Sequence, residues 1–281
     1  MSSFKASSEF PDGYGDIRLL STDGTVFSVH RVILQQSSTL FQTIFQIGSS
    51  EGAQVSSKDE KPLNINANEE TLDLLMRCVY PNRENPEFND LQTLFSVLRA
   101  AKRYEMDAIV QELGKTMLRQ RVINEEILPP FYTQSPIPTL AIAHAFDCNL
   151  VARCALRECL TGDLSAHFAQ AKDFDLPVEL FNHILRLRKE RAEWFKTRVD
   201  MHETGWPSNE CDACEKIRSY WKTEIVTHLE HYLDIDYFKA TVHDQWSCLC
   251  AKEHRNIFDP HPEAKTWLEE WDALSKKLPE L

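Results

Sequence analysis

The chain has 281 residues, of which 42% are hydrophobic and 26% are charged, and its formal net charge is −12. This apolar content excludes a wholly disordered chain, and the length favours two domains over one. The negative charge disfavours direct nucleic-acid binding, because contacts with phosphates depend on clustered Lys and Arg.

The N-terminal sequence lacks the basic start and apolar core of a secretory signal. No window approaches the roughly 18 apolar residues that a membrane span needs. We therefore expect no membrane association and an intracellular location, either cytoplasmic or nuclear. In that setting the eight cysteines indicate reduced thiols or a metal site more than a disulfide framework.

The chain opens with residues 1–15, which contain Ser, Gly and Pro without periodicity and predict a flexible lead. Two β-rich runs follow, at 17–20 and 26–29. They flank Asp23-Gly24, a pair typical of turns that need a positive φ, so a β-hairpin is predicted.

Apolar spacing between Val32 and Phe45 predicts two short helices, broken near Ser37-Ser38, where a serine can cap the second. A polar loop at 48–61 separates them from the next elements. These are a strand at 62–65, a helix that Asn68 caps and Pro81 ends, and helices at 90–103 and 106–118.

Several segments of this half have the spacing of a known family's motifs. They are Asp16-Ile17-Arg18-Leu19, Phe27-x-Val29-His30-Arg31-x-x-Leu34, Ser37-Ser38 with Phe41, Tyr80-Pro81, and Ala100-Ala101-Lys102-Arg103-Tyr104-x-Met106. Together they closely resemble the BTB/POZ domain over roughly residues 14–120. The resemblance implies an α+β fold for residues 16–120, a small mixed sheet packed with helices. It also implies a protein-interaction module that forms homodimers through helices of two copies, sometimes with exchange of an N-terminal strand.

The remainder of the chain has helical apolar spacing, at 137–148, 150–160 and 177–198. We therefore expect an all-α region over residues 121–200, followed by a helical tail with Trp and Cys at 201–281. In this order the chain resembles fungal BTB proteins with a BACK-like helical region.

Asp16 and Arg31 occupy positions where dimerising BTB domains often carry an acidic and a basic residue near the subunit interface. Two interpretations remain open. The pair orients two subunits, or each residue satisfies local backbone groups. His30 is interpreted as a structural, hydrogen-bonded histidine, because the motif places no nucleophile beside it.

The sequence contains no phosphate-cradling glycine loop, no Gly-x-Ser-x-Gly elbow and no His-Glu-x-x-His. We therefore expect a non-enzymatic scaffold or adaptor that self-associates and presents its helical region to other proteins. One alternative is a substrate receptor that binds a cullin in a ubiquitin ligase. A second alternative is a transcriptional co-regulator that acts through partners.

Four cysteines form the sharpest chemical pattern. Cys211 and Cys214 have the Cys-x-x-Cys spacing of zinc ligands, and Cys248 and Cys250 could complete one structural site. The Cys-x-Cys pair fits less well, because its one-residue spacer is shorter than the spacing usual between zinc ligands, so both thiolates would have to reach one metal through a turn. The other interpretation is that these cysteines are small buried hydrophobes beside tryptophans.

The zinc hypothesis predicts about one zinc atom per chain. Elemental analysis of the purified protein measures this content, and the double variant Cys211→Ser/Cys214→Ser should lose it. Absence of zinc from the unsubstituted chain, or its retention in the double variant, contradicts the hypothesis.

Overall fold

The computed structural model describes residues 4–50, 61–123, 125–160, 164, 168, 171 and 173–201. These residues divide into two units, one made of 4–134 with 142–151 and the other of 135–141 with 152–201. None of the helices in the described ranges is long and apolar enough to cross a membrane.

Short strands and longer helices alternate along the described residues. The strands are β1 Lys5–Ala6, β2 Ile17–Leu20, β3 Thr25–Val29, β4 Leu63–Asn64, β5 Arg121–Ile123 and β6 Glu126–Leu128. The helices are α1 Arg31–Ser37, α2 Thr39–Ser50, α3 Glu69–Val79, α4 Leu91–Arg103, α5 Asp107–Thr116, α6 Phe131–Gln134, α7 Pro136–Ala145, α8 Asn149–Cys159 and α9 Val178–Met201.

The first unit contains a four-stranded sheet in the order β1-β3-β2-β4. Its centre is the predicted hairpin, since β2 and β3 are antiparallel with Ile17 opposite Val29 and Leu20 opposite Val26. Gly24 has a φ of 88° in the connecting turn, which other residues rarely adopt. The edge strands β1 and β4 each run parallel to their neighbour.

The N-terminal residues differ from the predicted flexible lead, because residues 4–15 lie against the sheet. Strand β1 pairs with Thr25 and Val26 of β3. Phe10 is fully buried, and its ring centroid lies 6.1 Å from that of Phe27 and 5.1 Å from that of Tyr80. Burial of this one aromatic side chain stabilises the segment by about 2 kcal/mol, a contribution that the aperiodic sequence does not reveal.

Polar side chains cap two helices of the first unit at the positions that the sequence predicts. Ser38 separates α1 from α2, and its Oγ accepts the Phe41 N–H at 3.0 Å and donates to the Tyr104 carbonyl. Asn68 caps α3 by accepting the Thr71 N–H at 2.9 Å. Each bond satisfies one of the N–H groups that a helix start leaves without an intrahelical partner.

Tyr104 connects three of these elements. Its carbonyl accepts from Ser38 at the start of α2. Its ring stacks on Phe41 with centroids 5.3 Å apart, and its Oη accepts the Asn66 N–H just after β4 at 2.8 Å. The core beneath consists of fully buried apolar side chains: Leu19, Phe27, Leu34, Leu72, Leu75, Met76, Leu94, Leu98 and Met106.

The structure corrects the all-α expectation for residues 121–200 at its beginning. Strands β5 and β6 form an antiparallel hairpin there, and helices account for the remaining regular structure among the described residues up to 201. The run Arg121-Val122-Ile123 is rich in β-branched residues, which favours a strand. The helical spacing of the sequence begins only at residue 137, so it gives no reason to expect a helix at these positions.

In the second unit, Arg188 is only 6% exposed although it lies on the charge-rich helix α9. Its Nη1 donates to the Cys159 carbonyl at the C-terminal end of α8, at 3.0 Å. A cation at this end also complements the helix dipole. Burial lowers the pKa of the nearby Arg191 to about 10, so the Arg191 guanidinium remains charged near neutral pH.

Gly114 of α5 gives a test of the packing in the first unit. A Cβ at this position would lie 2.6 Å from Cys148 Sγ. We expect Gly114→Ala to lower the free energy of unfolding by about 1–3 kcal/mol through overpacking, although alanine is the better helix former.

In Gly114→Ala/Cys148→Ala the sulfur is removed, and the remaining contact between the two Cβ atoms is an ordinary 3.5 Å. Chemical denaturation should then show the double variant to be at least as stable as Cys148→Ala alone. If the losses of the two single variants simply add, the steric explanation is wrong.

Candidate interaction surface

Helix α2 is apolar on two faces. Phe41 and Phe45 are buried in the core, at 2% and 4% exposure. Ile44 and Ile47, one turn apart on another face, are 37% and 62% exposed. A surface helix normally has one apolar stripe toward the core and polar residues on its opposite face. In α2 a second apolar stripe is exposed to solvent, where polar residues are usual.

The neighbouring helix α1 adds a third exposed apolar side chain. Val32 is 57% exposed, whereas Leu34 of the same helix is fully buried. We refer to Val32, Ile44 and Ile47 as the α1–α2 surface. Exposed apolar side chains grouped on adjacent elements are typical of protein interaction sites, whereas isolated ones are common and uninformative.

Asp16 and Arg31 are brought together beside this surface, through a backbone contact. Asp16 Oδ1 accepts the backbone N–H of Arg31, the first residue of α1, at 2.7 Å. His30, the residue before the helix, makes no capping bond with its side chain. Asp16 therefore caps α1, although it lies 15 residues earlier in the sequence. Of the two interpretations that the sequence left open, this contact corresponds to the one in which Asp16 satisfies a backbone group.

The Arg31 side chain extends from α1 toward α2. Its guanidinium carbon lies 4.9 Å from the centroid of the Phe45 ring, a distance at which a cation is attracted to the face of an aromatic ring. Asp16 is exposed and Arg31 half-buried, so the pair forms a polar margin next to Val32.

Gly15 explains how Asp16 reaches the start of α1. A Cβ at Gly15 would lie 2.1 Å from the Val29 carbonyl carbon, so only glycine lets the two backbones come so close. Val29 ends β3 two residues before α1 begins. The close approach thus places the next residue, Asp16, beside the first N–H of the helix.

The turn of the same hairpin caps a second helix. Asp23 accepts the Glu69 N–H at the start of α3 at 3.0 Å and the Ser21 hydroxyl at 2.5 Å. The bond from Ser21, followed by that from Glu69, lowers the pKa of the Asp23 carboxyl. The carboxylate therefore stays ionised at neutral pH, and its negative charge interacts favourably with the positive N-terminal end of the α3 dipole.

His30, the residue before α1, and Tyr80 form a partly buried polar contact. The Tyr80 Oη accepts the His30 N–H at 2.7 Å and lies 3.0 Å from His30 Nδ1. Burial raises the pKa of the Tyr80 phenol, so the hydroxyl keeps its proton. The predicted hydrogen bonding of His30 is confirmed.

Two surface ion pairs, neither of them evident from the sequence, join the N-terminal segment to residues further along the chain. Lys5 Nζ lies 2.7 Å from Glu69 Oε2, and Arg83 Nη1 lies 2.9 Å from Glu9 Oε2. The hydrogen bond from Lys5 is the main cause of the lowered pKa of Glu69. No local pattern could have identified these pairs, because their members are far apart in sequence.

The cysteines in the described part of the chain are poor nucleophiles. Burial raises the pKa of Cys78 and of Cys159 to about 12, and it also raises the pKa of Cys148 and Cys154. These thiols stay protonated near neutral pH, and the thiolate is the reactive form.

The described ranges contain no group of three or more His, Cys, Asp or Glu that could hold a metal ion. The four cysteines of the zinc hypothesis, Cys211, Cys214, Cys248 and Cys250, lie outside the described residues. The hypothesis stays a prediction.

Comparison with known families agrees with the motif-based resemblance. The family model for the BTB/POZ domain matches residues 7–121, which include β2–β4 and α1–α5. No curated protein sequence matches the chain. Residues 7–121 therefore form a BTB/POZ domain, and the predicted α+β fold is confirmed. The likeness of residues 121–200 to a BACK region and of the chain to fungal proteins stays a prediction.

Two variants distinguish the capping role of Asp16 from a charge interaction with Arg31. We expect Asp16→Ala to lower the free energy of unfolding by about 1 kcal/mol, because the Arg31 N–H loses its acceptor. Asp16→Asn keeps an acceptor oxygen but removes the charge, and it should retain most of the stability. Thermal or denaturant unfolding of both variants measures the difference, and equal losses would contradict the capping role.

Proposed function

We propose that the BTB/POZ domain formed by residues 7–121 self-associates through the α1–α2 surface, and that the chain is a non-enzymatic adaptor. The observation that carries the proposal is the exposure of Val32, Ile44 and Ile47 on two adjacent helices. The BTB/POZ match supports the adaptor class, because this domain is a protein-interaction module.

The energetics favour a symmetric pair. Full burial of a wholly exposed aliphatic side chain contributes about 1.5–3 kcal/mol, and because Val32, Ile44 and Ile47 are 37–62% exposed, each can still gain roughly half of this. A two-fold axis places the same patch of both subunits in the interface, so the three side chains of each subunit are buried together. Part of this gain offsets the loss of translational and rotational freedom on association.

In the proposed dimer, Asp16 and Arg31 lie at the edge of the apolar contact. Asp16 is bonded to the α1 backbone and Arg31 lies over Phe45, so both side chains are held in place before association. Polar groups at an interface margin contribute more to orientation and specificity than to affinity. The helices after residue 128 take no part in this contact and are available to bind other proteins.

Substitution of one residue of the α1–α2 surface tests self-association. We expect the unsubstituted full chain to be a dimer at tens of micromolar protein, and Ile44→Glu to raise the dissociation constant at least about tenfold. The carboxylate would have to be buried without a partner on both subunits. Light scattering coupled to size-exclusion chromatography measures the mass.

Leu185→Glu is the matched control, since Leu185 is 42% exposed, close to the 37% of Ile44, but lies on α9. It should leave the mass unchanged. A strictly monomeric unsubstituted chain, or dissociation by Leu185→Glu and not by Ile44→Glu, would rule out the proposed surface.

A further inference from the structure

The hairpin β5–β6 turns an apolar pair toward solvent. Its register places Arg121 opposite Leu128, Val122 opposite Ile127, and Ile123 opposite Glu126. Side chains alternate between the faces of a strand, so Val122 and Ile127 share one face. They are 53% and 68% exposed, whereas Arg121, Ile123 and Leu128 on the other face are half-buried.

The backbone of the same two residues also faces outward. Ile123 lies opposite Glu126 with two residues between them in the sequence, and the pair that flanks a two-residue hairpin connection is a hydrogen-bonded pair. Antiparallel ladders alternate hydrogen-bonded and non-hydrogen-bonded pairs. The N–H and C=O groups of Val122 and Ile127 therefore point away from the partner strand. Among the described residues, no third strand pairs with either edge.

Arg121 fixes the base of the hairpin to the first unit. Its guanidinium carbon lies 3.8 Å from the centroid of the Phe131 ring, and Nη1 donates to the Asn89 carbonyl at 2.9 Å. Nη2 donates to Gln134 Oε1. The cation of β5 is thus engaged within the domain.

The edge of the other strand, β6, carries acidic and apolar side chains side by side. Glu126 and the adjacent turn residue Glu125 are exposed, and Ile127 follows them directly. An incoming strand at this edge would meet a carboxylate and an apolar side chain in consecutive positions. Opposite charges and paired apolar residues both stabilise neighbouring strands.

We propose that the β6 edge binds an extended segment of a partner protein as a third strand, with an apolar residue opposite Ile127 and Lys or Arg opposite Glu126. Main-chain hydrogen bonds to Ile127 give affinity, and the two side-chain positions give selectivity. The site is separate from the α1–α2 surface, so the proposal is independent of self-association.

Ten-residue fluorescein-labelled peptides in which Val alternates with Lys, or with Glu, are the probes. Fluorescence anisotropy with the full chain should show the Lys peptide binding about fivefold more tightly than the Glu peptide. Glu126→Lys should remove this preference. Glu87→Lys, which changes an exposed carboxylate elsewhere by the same charge, should preserve it.

Equal binding of the two peptides overturns the proposal, as does an equal effect of Glu126→Lys and Glu87→Lys. In the second case the chain's net charge of −12 would explain the preference as general attraction. The proposal is also overturned if neither peptide binds and Glu126→Lys alone changes the mass measured by light scattering. In that case the β6 edge pairs with a second copy of this chain.

Proline substitutions identify the edge. Ile127→Pro removes an N–H that points out of the hairpin, so the ladder is kept while the β6 edge is blocked. Val122→Pro does the same to the β5 edge. Binding of the Lys peptide should fall at least about tenfold in the first variant and persist in the second; the reverse result overturns the assignment.

Amide hydrogen exchange in the unsubstituted chain provides a measurement that does not depend on the proline variants folding. The Ile127 amide should become protected when the Lys peptide is added, and the Val122 amide should not. Protection of Val122 alone, or of neither amide at saturating peptide, would contradict binding at the β6 edge.

Discussion

The hydrogen bond from the Ser38 hydroxyl to the Tyr104 carbonyl is the constraint on which the geometry of α2 depends. Ser38 begins α2 and also accepts the Phe41 N–H, so one hydroxyl both caps the helix and ties it to the end of α4. Tyr104 is itself fixed by stacking on Phe41 and by the Asn66 N–H. A buried, fully satisfied network of this kind favours one arrangement of its elements. The orientation that exposes Ile44 and Ile47 follows from it.

The features that sequence reasoning predicted are those that depend on neighbouring residues. The Asp23-Gly24 turn, the break at Ser37-Ser38 and the Asn68 cap each result from interactions within a few positions, and each is present. The position of residues 4–15 could not be predicted in this way. It depends on a buried Phe10 and on ion pairs from Lys5 and Glu9 to residues in α3 and the following loop, contacts that leave no periodic pattern.

The candidate sites were predictable to different degrees. Family position singled out Asp16 and Arg31, and the structure brings them into contact, but only the folded structure reveals that the bond joins a carboxylate to the backbone. The α1–α2 surface and the β5–β6 hairpin were both missed. An apolar residue at helical spacing reads as core in the sequence, and only the packed structure separates Ile44 from Phe45. The hairpin strands, three residues each, are too short for a clear alternation.

The close approach of Gly15 to Val29 has a consequence for how the sequence can vary over evolution. Any side chain at this position would collide with backbone, which cannot rotate away as a flexible side chain can. Substitution therefore requires movement of the strand end or of the segment that carries Asp16, and either change uncouples the carboxylate from α1. Glycine followed by aspartate, just before the first hairpin strand, should persist together in descendants that keep this fold. When one is lost, the other is released from constraint.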